Sequence, residues 1–119
     1  MADNAGGTGE TGDNMASAAI SFCTAGNRSV EGGTMAVPRM SGATSEIVTV
    51  SGTSQASMAA SPHPGRTGFV SISAIDGPLW ATAGAAPVAV VGESGFAVLA
   101  GQTRDFAVEP GDKIAVIAL

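Results

Sequence analysis

Few residues in this sequence have the types and spacing that chemistry requires. His63 is the only histidine and Cys23 the only cysteine, so a metal centre built from several histidines lacks ligands, and no partner for a Ser-His-Asp triad stands out. Because prolines flank it on both sides, His63 is expected in a solvated loop. Cys23 follows Phe22 in an apolar stretch, which predicts a buried, unreactive thiol. These residues predict a protein that is not an enzyme and has no catalytic residues, no metal site and no cofactor.

Two glycine-rich stretches match parts of known motifs but lack their context. Residues 7–12 read GTGETG, the letters of a dinucleotide-binding fingerprint, yet that fingerprint must follow a strand and open a helix. No strand is predicted before it and no helix after it. The stretch GESG, residues 92–95, is one residue short of a nucleophile elbow. Ser94 is therefore interpreted as a turn residue.

Composition and charge exclude several classes of partner. The chain has 119 residues, a formal net charge of −5 and five basic residues, whereas duplex binding needs a clustered basic footprint. The first residues are acidic and polar, unlike a signal peptide, and no apolar run reaches the roughly 18 residues of a membrane span. We therefore expect no nucleic-acid partner, no membrane partner and synthesis in the cytoplasm.

From residue 15 onward, short apolar runs separated by turn residues predict strands. The runs are ASAAISF, EIVTVSG, GFVSIS, PLWAT, APVAVVG, GFAVLAG, RDFAVE and KIAVIAL, spaced roughly every 8 to 12 positions as in all-β proteins. Period-2 alternation groups apolar residues on one face within three of them: Ala18, Ile20 and Phe22; Val48 and Val50; Val70 and Ile72. The short turn EPGD, residues 109–112, favours an antiparallel connection of type I or II.

These patterns predict an all-β protein: one compact antiparallel β-sandwich or jelly-roll-like domain over residues 15–119. Residues 1–14, rich in glycine and acidic side chains, are expected to form a flexible or extended N-terminal arm. The whole chain has 17 glycines and only 4% aromatic residues, so the core of the domain is thin and burial against neighbouring subunits would help it. Trp80, Ile114 and Val116 are the residues expected in the core or at an oligomer interface.

Over roughly the last 60% of the chain the sequence resembles a group of small virion proteins of tailed bacteriophages. The motifs of that group are a V-x-I-S-A strand, a G-x-x-P-x-A turn, an x-R-x-F-x-V strand and a final P-G-D-K-I-A-V-I. They stand here at residues 70–74, 84–89, 103–108 and 110–117. The resemblance implies a sandwich or jelly roll that decorates or cements a phage head.

The resemblance and the composition lead to one functional expectation with two alternatives. The first is a cement protein on the outer capsid surface of the virion, a homotrimer that bridges capsomers and has the major capsid protein as its partner. Four arginines are the side chains expected to contact capsid carboxylates: Arg28, Arg39, Arg66 and Arg104. The second is a carbohydrate- or receptor-binding sandwich of a head fibre or tail tip, with Trp80 as a stacking platform. A metal-dependent, cupin-like enzyme is the third.

Overall fold

The computed structural model describes residues 16–30, 33–38, 40, 42–62 and 68–119. Within these ranges the only regular elements are strands, and no helix is present. In chain order the strands are β1 Ser17–Val30, β2 Gly33–Pro38, β3 Thr44–Thr49, β4 Gln55–Ala56, β5 Gly68–Ile75, β6 Leu79–Gly84, β7 Phe96–Val98, β8 Thr103–Ala107 and β9 Lys113–Ala118. The prediction of an all-β protein is therefore confirmed.

The strands form two antiparallel sheets. Sheet one has the order β8-β5-β1-β2, and β3 also pairs with β1. The long strand β1 divides its pairing: residues 17–22 face β3, residues 17–24 face β5, and residues 25–30 pair with β2. Sheet two has the order β4-β9-β6-β7. The apolar C-terminal strand β9 thus lies inside sheet two, between β4 and β6, and its last amides are bonded to Ser51 and Pro78.

The core lies between the inward faces of the two sheets. Sheet one supplies Ala18, Ile20, Phe22, Val48, Val70, Ile72 and Ala74, and sheet two supplies Leu79, Ala81, Val98, Ile114 and Val116. The three alternating groups predicted from the sequence all face this core, because successive side chains of a strand point to opposite faces. Burying these side chains is the main stabilising contribution to the fold.

The turn that leads into β9 has the predicted form. The Asp112 amide donates to the Glu109 carbonyl oxygen at 3.0 Å, and Gly111 has a φ of 88°. Positive φ at the third residue, after a proline, defines a type II turn, and glycine adopts it without steric cost. The Glu109 amide also donates to the Asp112 carboxylate at 2.9 Å, which fixes the start of the last strand.

The prediction of a strand over APVAVVG, residues 86–92, is wrong. Residues 85–95 form an irregular segment, the covering loop, between β6 and β7. In a half-buried strand the larger valines would face the core, but here Ala89 is buried while Val88 and Val90 are exposed. The Ala89 amide donates to the Ser54 hydroxyl at 2.9 Å. The side chain of Ser54, which lies outside both sheets, therefore accepts the hydrogen bond that the backbone of a neighbouring strand would otherwise accept.

Candidate functional site

The covering loop lies over the outer face of sheet two and is attached at two points. One is the Ala89 amide on the Ser54 hydroxyl; the other is the Trp80 indole N–H, which donates to the Ser94 carbonyl oxygen at 3.3 Å. Trp80 points away from the core, since its strand neighbours Leu79 and Ala81 are buried in it. The indole thus anchors the loop, and its N–H is not free for a sugar hydroxyl.

The end of the covering loop requires a glycine at position 95. Gly95 has a φ of 134°, a conformation that side-chain-bearing residues rarely adopt. A Cβ there would collide with the Ala81 carbonyl oxygen and with the indole nitrogen of Trp80. The loop therefore returns to the sheet by a close backbone approach over the tryptophan.

Three valines of the covering loop form an exposed apolar patch, here the valine patch: Val88, Val90 and Val91. Their side chains are 70%, 43% and 46% exposed. The buried Ala89 and its bonded amide hold the middle of this segment against the protein. Clustered exposed apolar side chains on an anchored loop are typical of association surfaces rather than of free solvent-facing loops.

Small polar side chains occupy part of the outer face of sheet one, which also carries the exposed Ile47. We call the polar part, which comprises Ser21, Ser45, Ser71, Ser73, Thr103 and Asp105, the hydroxyl face. Cross-strand pairs of small side chains hydrogen-bond along it: Ser21 with Ser45 at 2.8 Å, Ser73 with Thr103 at 2.6 Å, and the Ser71 hydroxyl with the Asp105 carboxylate. Because these hydroxyls satisfy one another, the face can contact a polar surface without leaving buried donors unpaired.

One lateral side of the sandwich, the closed side, is joined by a carboxylate. Glu46 of β3 lies beside the segment that follows β4 in the other sheet. Its oxygens accept the Met58 amide at 2.9 Å and the Ala59 amide at 3.1 Å. Hydrogen bonds to an ionised acceptor are stronger than neutral ones, so Glu46 fastens sheet one to sheet two along this side.

The opposite lateral side, the open side, is joined by a guanidinium. Arg104 of β8 donates from Nη1 to the Ala97 carbonyl oxygen of β7 at 2.9 Å. Its Cζ lies 5.4 Å from the ring centroid of Phe96 and 5.3 Å from that of Phe106. The two rings stack with centroids 5.2 Å apart. A cation held against two aromatic faces is favourable, and it links the edge strands of both sheets.

A pocket of about 330 Å³ opens on this side between β6 and β8. The buried side chains of Ile72 and Ile114 line it, together with Phe96 and Phe106. Ala83 and Ala107 also line it and are exposed, so the pocket reaches solvent. An apolar concavity of this size falls at the lower end of the range for ligand pockets.

The structure places the predicted site residues in different environments. Ile114 and Val116 are 2% and 0% exposed in the core, Trp80 is half-buried beneath the covering loop, and Arg104 lies on the open side. Arg28 is placed by its backbone opposite Met35 in the β1–β2 pair. Arg39, Arg66, His63 and the arm of residues 1–14 lie outside the described residues. The expected capsid contacts of the four arginines therefore stay a prediction.

Cys23 is a buried cysteine near Asp105 of the hydroxyl face. It is 3% exposed, opposite Phe69 in the β1–β5 register. Burial raises the pKa of the thiol, and the nearby negative charge of Asp105 raises it further. Both causes disfavour the thiolate, which is the reactive form of cysteine. The geometry agrees with the interpretation of an unreactive thiol.

Sequence reasoning missed the residues that join the two sheets at the sides. Arg104 and Phe106 stand two positions apart on one strand, a spacing that places them on one face. That signal was readable, but nothing in the sequence indicates that Phe96 comes from the facing edge. Glu46 has no local signal at all, because its partners, the amides of Met58 and Ala59, belong to a segment of irregular backbone.

Comparisons with known proteins identify no relative of this chain. No family model matches it, and no curated protein or solved structure is significantly similar to it. Over the part of the chain that the structure describes, no group of three or more metal-ligating side chains occurs. No helix there is long and apolar enough to cross a membrane. Function has to be inferred from the surfaces themselves.

Proposed function

We propose that this chain is a structural virion protein that decorates and stabilises an icosahedral bacteriophage capsid as a homo-oligomer, with a trimer as the expected state. The observation that carries the proposal is the valine patch on the anchored covering loop. Exposed apolar surface of this kind is covered when a protein assembles. The resemblance to phage virion proteins supplies the class of assembly, and its motifs coincide with β5, β8, β9 and the start of the covering loop.

The proposed mechanism is mechanical bridging. Each oligomer contacts neighbouring capsomers, so that opening the shell also breaks the contacts of the cement protein. A protein that binds only the assembled lattice stabilises it by mass action, because its binding free energy is lost on disassembly. The sandwich suits this use, since Glu46 and Arg104 tie the two sheets together on both sides and the domain can transmit load.

The oligomer is assigned to the valine patch and the capsid contact to the hydroxyl face. Apolar side chains favour a permanent contact between copies, whereas a polar face suits a contact that each folded oligomer makes later with the capsid. The two surfaces belong to the outer faces of different sheets. One oligomer could therefore use both at the same time.

The experiment measures mass in solution and binding to particles. Light scattering at micromolar concentration is expected to give a multiple of the 11.5 kDa chain mass. Val88→Asp should shift the protein to monomer, while Leu99→Asp, at a second exposed apolar side chain of similar accessibility, should not. Cryo-electron microscopy of purified heads mixed with the protein should then show added density on the outer surface. A wild-type monomer that leaves heads undecorated would contradict the proposal.

A further inference from the structure

The short link between the two sheets, residues 76–78, holds its backbone in an uncommon conformation. The link joins the end of β5 in sheet one to the start of β6 in sheet two. Asp76 has a φ of 63°, and no other side-chain-bearing residue in the described part of the chain has a positive φ. Aspartate and asparagine adopt this left-handed conformation more readily than most residues with side chains. The link therefore favours aspartate, asparagine or glycine at position 76.

The next position of the link favours the smallest residue. A Cβ on Gly77 would lie 3.0 Å from the Cβ of Ala16, which is closer than carbon atoms normally pack. The conformation at position 76 and the packing at position 77 together favour an aspartate followed by a glycine. This dipeptide occurs once in the sequence, at this link.

An aspartate followed by glycine has a reaction open to it that needs no other reagent than water. The amide nitrogen of Gly77 attacks Cγ of Asp76, a C–N bond forms, and the amide proton and the carboxyl hydroxyl leave together as water. The product is a five-membered succinimide ring. Because both reacting groups belong to adjacent residues, the step is intramolecular and their effective concentration is high. Water then opens the ring at either carbonyl, which restores aspartate or gives isoaspartate.

We propose that Asp76 is a modification site at which the folded protein forms isoaspartate spontaneously. Asp76 is exposed, so water reaches the carboxyl group and the ring. Gly77 has no side chain to hinder the approach of its nitrogen. Neither residue belongs to a strand, so no sheet ladder holds the backbone against the rotation that ring closure requires. No step involves a capsid, and the inference is independent of the proposed function.

Two other aspartates of the same chain lack these features and serve as internal controls. Asp105 lies within β8, and its carboxylate accepts the Ser71 hydroxyl. The Asp112 carboxylate accepts the Glu109 amide at 2.9 Å. Phenylalanine follows the first and lysine the second, so a side chain stands beside the attacking nitrogen in both cases.

Isoaspartate would lengthen the link between the sheets. The main chain then runs through Cβ and Cγ of residue 76, which adds one carbon to its path. Both ends of the link are fixed, because Ile75 pairs with Ser17 and the Pro78 carbonyl oxygen accepts the Leu119 amide at 3.3 Å. The second contact is a single long hydrogen bond, so we expect it to break and the end of β9 to loosen.

The test is peptide mapping of the aged, folded chain by mass spectrometry with electron-based fragmentation, which distinguishes isoaspartate from aspartate. The protein is kept in mildly acidic buffer until a sample unfolded in guanidinium chloride has formed isoaspartate at position 76. Isoaspartate in the folded sample should be about tenfold or more higher at Asp76 than at Asp105 and Asp112. A succinimide, lighter by one water, should precede it. A level at Asp76 no higher than at the two controls would overturn the proposal.

A matched pair of variants, both suited to a positive φ, tests the chemistry and its consequence. Asp76→Asn closes the ring by losing ammonia and should form isoaspartate at neutral pH about tenfold faster or more than wild type. Asp76→Gly has no side-chain carbonyl and should form none. Amide hydrogen exchange at Leu119 should therefore quicken as wild type ages but stay constant in Asp76→Gly. An Asp76→Asn chain that forms no isoaspartate while folded would show that the link keeps the reacting atoms apart, and equal Leu119 exchange in the two aged proteins would contradict the loosening of β9.

Discussion

The closed and open sides of the sandwich both connect sheet one to sheet two, but they do so with different side chains. On the closed side, the Glu46 carboxylate accepts backbone amides of the facing segment, Met58 and Ala59, at hydrogen-bond distance. On the open side, Arg104 reaches one carbonyl oxygen and otherwise lies against two phenyl rings. The carboxylate thus bonds two backbone amides directly, whereas the guanidinium bonds one backbone carbonyl and otherwise contacts side chains. The pocket of about 330 Å³ opens on the open side, beside the two stacked rings.

The largest effects are expected in the core, where the two sides can be compared through neighbouring isoleucines. Ile20 and Ile72 are cross-strand partners, both buried; Ile20 lies opposite Glu46 in register and Ile72 opposite Arg104. Truncation of a buried isoleucine to alanine costs about 2–5 kcal/mol. Ile72 also lines the pocket, so it has fewer packing contacts to lose. We expect Ile20→Ala to lower the free energy of unfolding more than Ile72→Ala does.

Urea denaturation of both variants measures this difference. The control is Ile47→Ala, since Ile47 is 65% exposed on the outer face of sheet one and its truncation should change stability little. Equal losses for Ile20→Ala and Ile72→Ala would show that the pocket side is packed as well as the closed side.

The next effect concerns the closed side itself. Glu46→Ala removes the acceptor of the Met58 and Ala59 amides, and the loss of charge-assisted hydrogen bonds should cost about 1.5–3 kcal/mol. Glu46→Gln keeps one acceptor oxygen and should lose less. Glu93→Ala, at an exposed position of the covering loop, serves as the control for removing a carboxylate. The urea midpoint should be lowest for Glu46→Ala, higher for Glu46→Gln and highest for Glu93→Ala. A Glu46→Gln midpoint as low as that of Glu46→Ala would contradict the role assigned to the carboxylate.

A smaller loss is expected on the open side. Arg104→Ala removes one hydrogen bond and two ring contacts at a half-buried position, worth about 1 kcal/mol together. Arg104→Lys keeps the charge but not the planar stacking group, so it should recover only part of the loss. Thermal unfolding of wild type and both variants measures the order. If Arg104→Ala destabilises more than Glu46→Ala, the open side is the stronger join and the comparison reverses.

The alternating strands were predictable from the sequence because the apolar residues of each strand repeat at every second position on the face that is buried. Ile20 and Phe22, or Val70 and Ile72, repeat at the period of a strand whose one face meets a core, and all four are buried. The segment around Ala89 has the same period, yet its valines are exposed. Periodicity indicates that the two faces of a segment differ, but it does not indicate which face is buried. In this loop the hydrogen bonds to the Ser54 hydroxyl and from Trp80 hold Ala89 inward and leave the valines exposed.

The sites at the two sides could not have been predicted, since each depends on contacts between distant segments. Glu46 meets amides 12 and 13 positions away, and Arg104 meets a ring from the opposite sheet. A pocket between strands of different sheets depends on how the two sheets pack against each other. The sequence of a single strand does not indicate it. The sequence did indicate the polar outer face of sheet one, because small hydroxyl residues alternate with apolar ones in β1, β5 and β8.

The smallest effect is the pH dependence of Cys23, which reports on the open-side strand β8 through Asp105. The pKa of the buried thiol is raised, first by burial and then by the Asp105 charge. A folded-state pKa above the unfolded value contributes stability that is fully present below the unfolded pKa and is lost as pH rises through the folded pKa. Wild type should therefore lose stability in alkaline solution relative to Cys23→Ala, and the thiol should react slowly with a disulfide reagent. Asp105→Asn removes the second cause only, so the thiol should react slightly faster at a given alkaline pH while burial keeps it slower than in the unfolded chain. An Asp105→Asn thiol that reacts as slowly as wild type at every pH would show that burial alone sets the pKa, and that β8 exerts no electrostatic influence on its neighbours across the sheet.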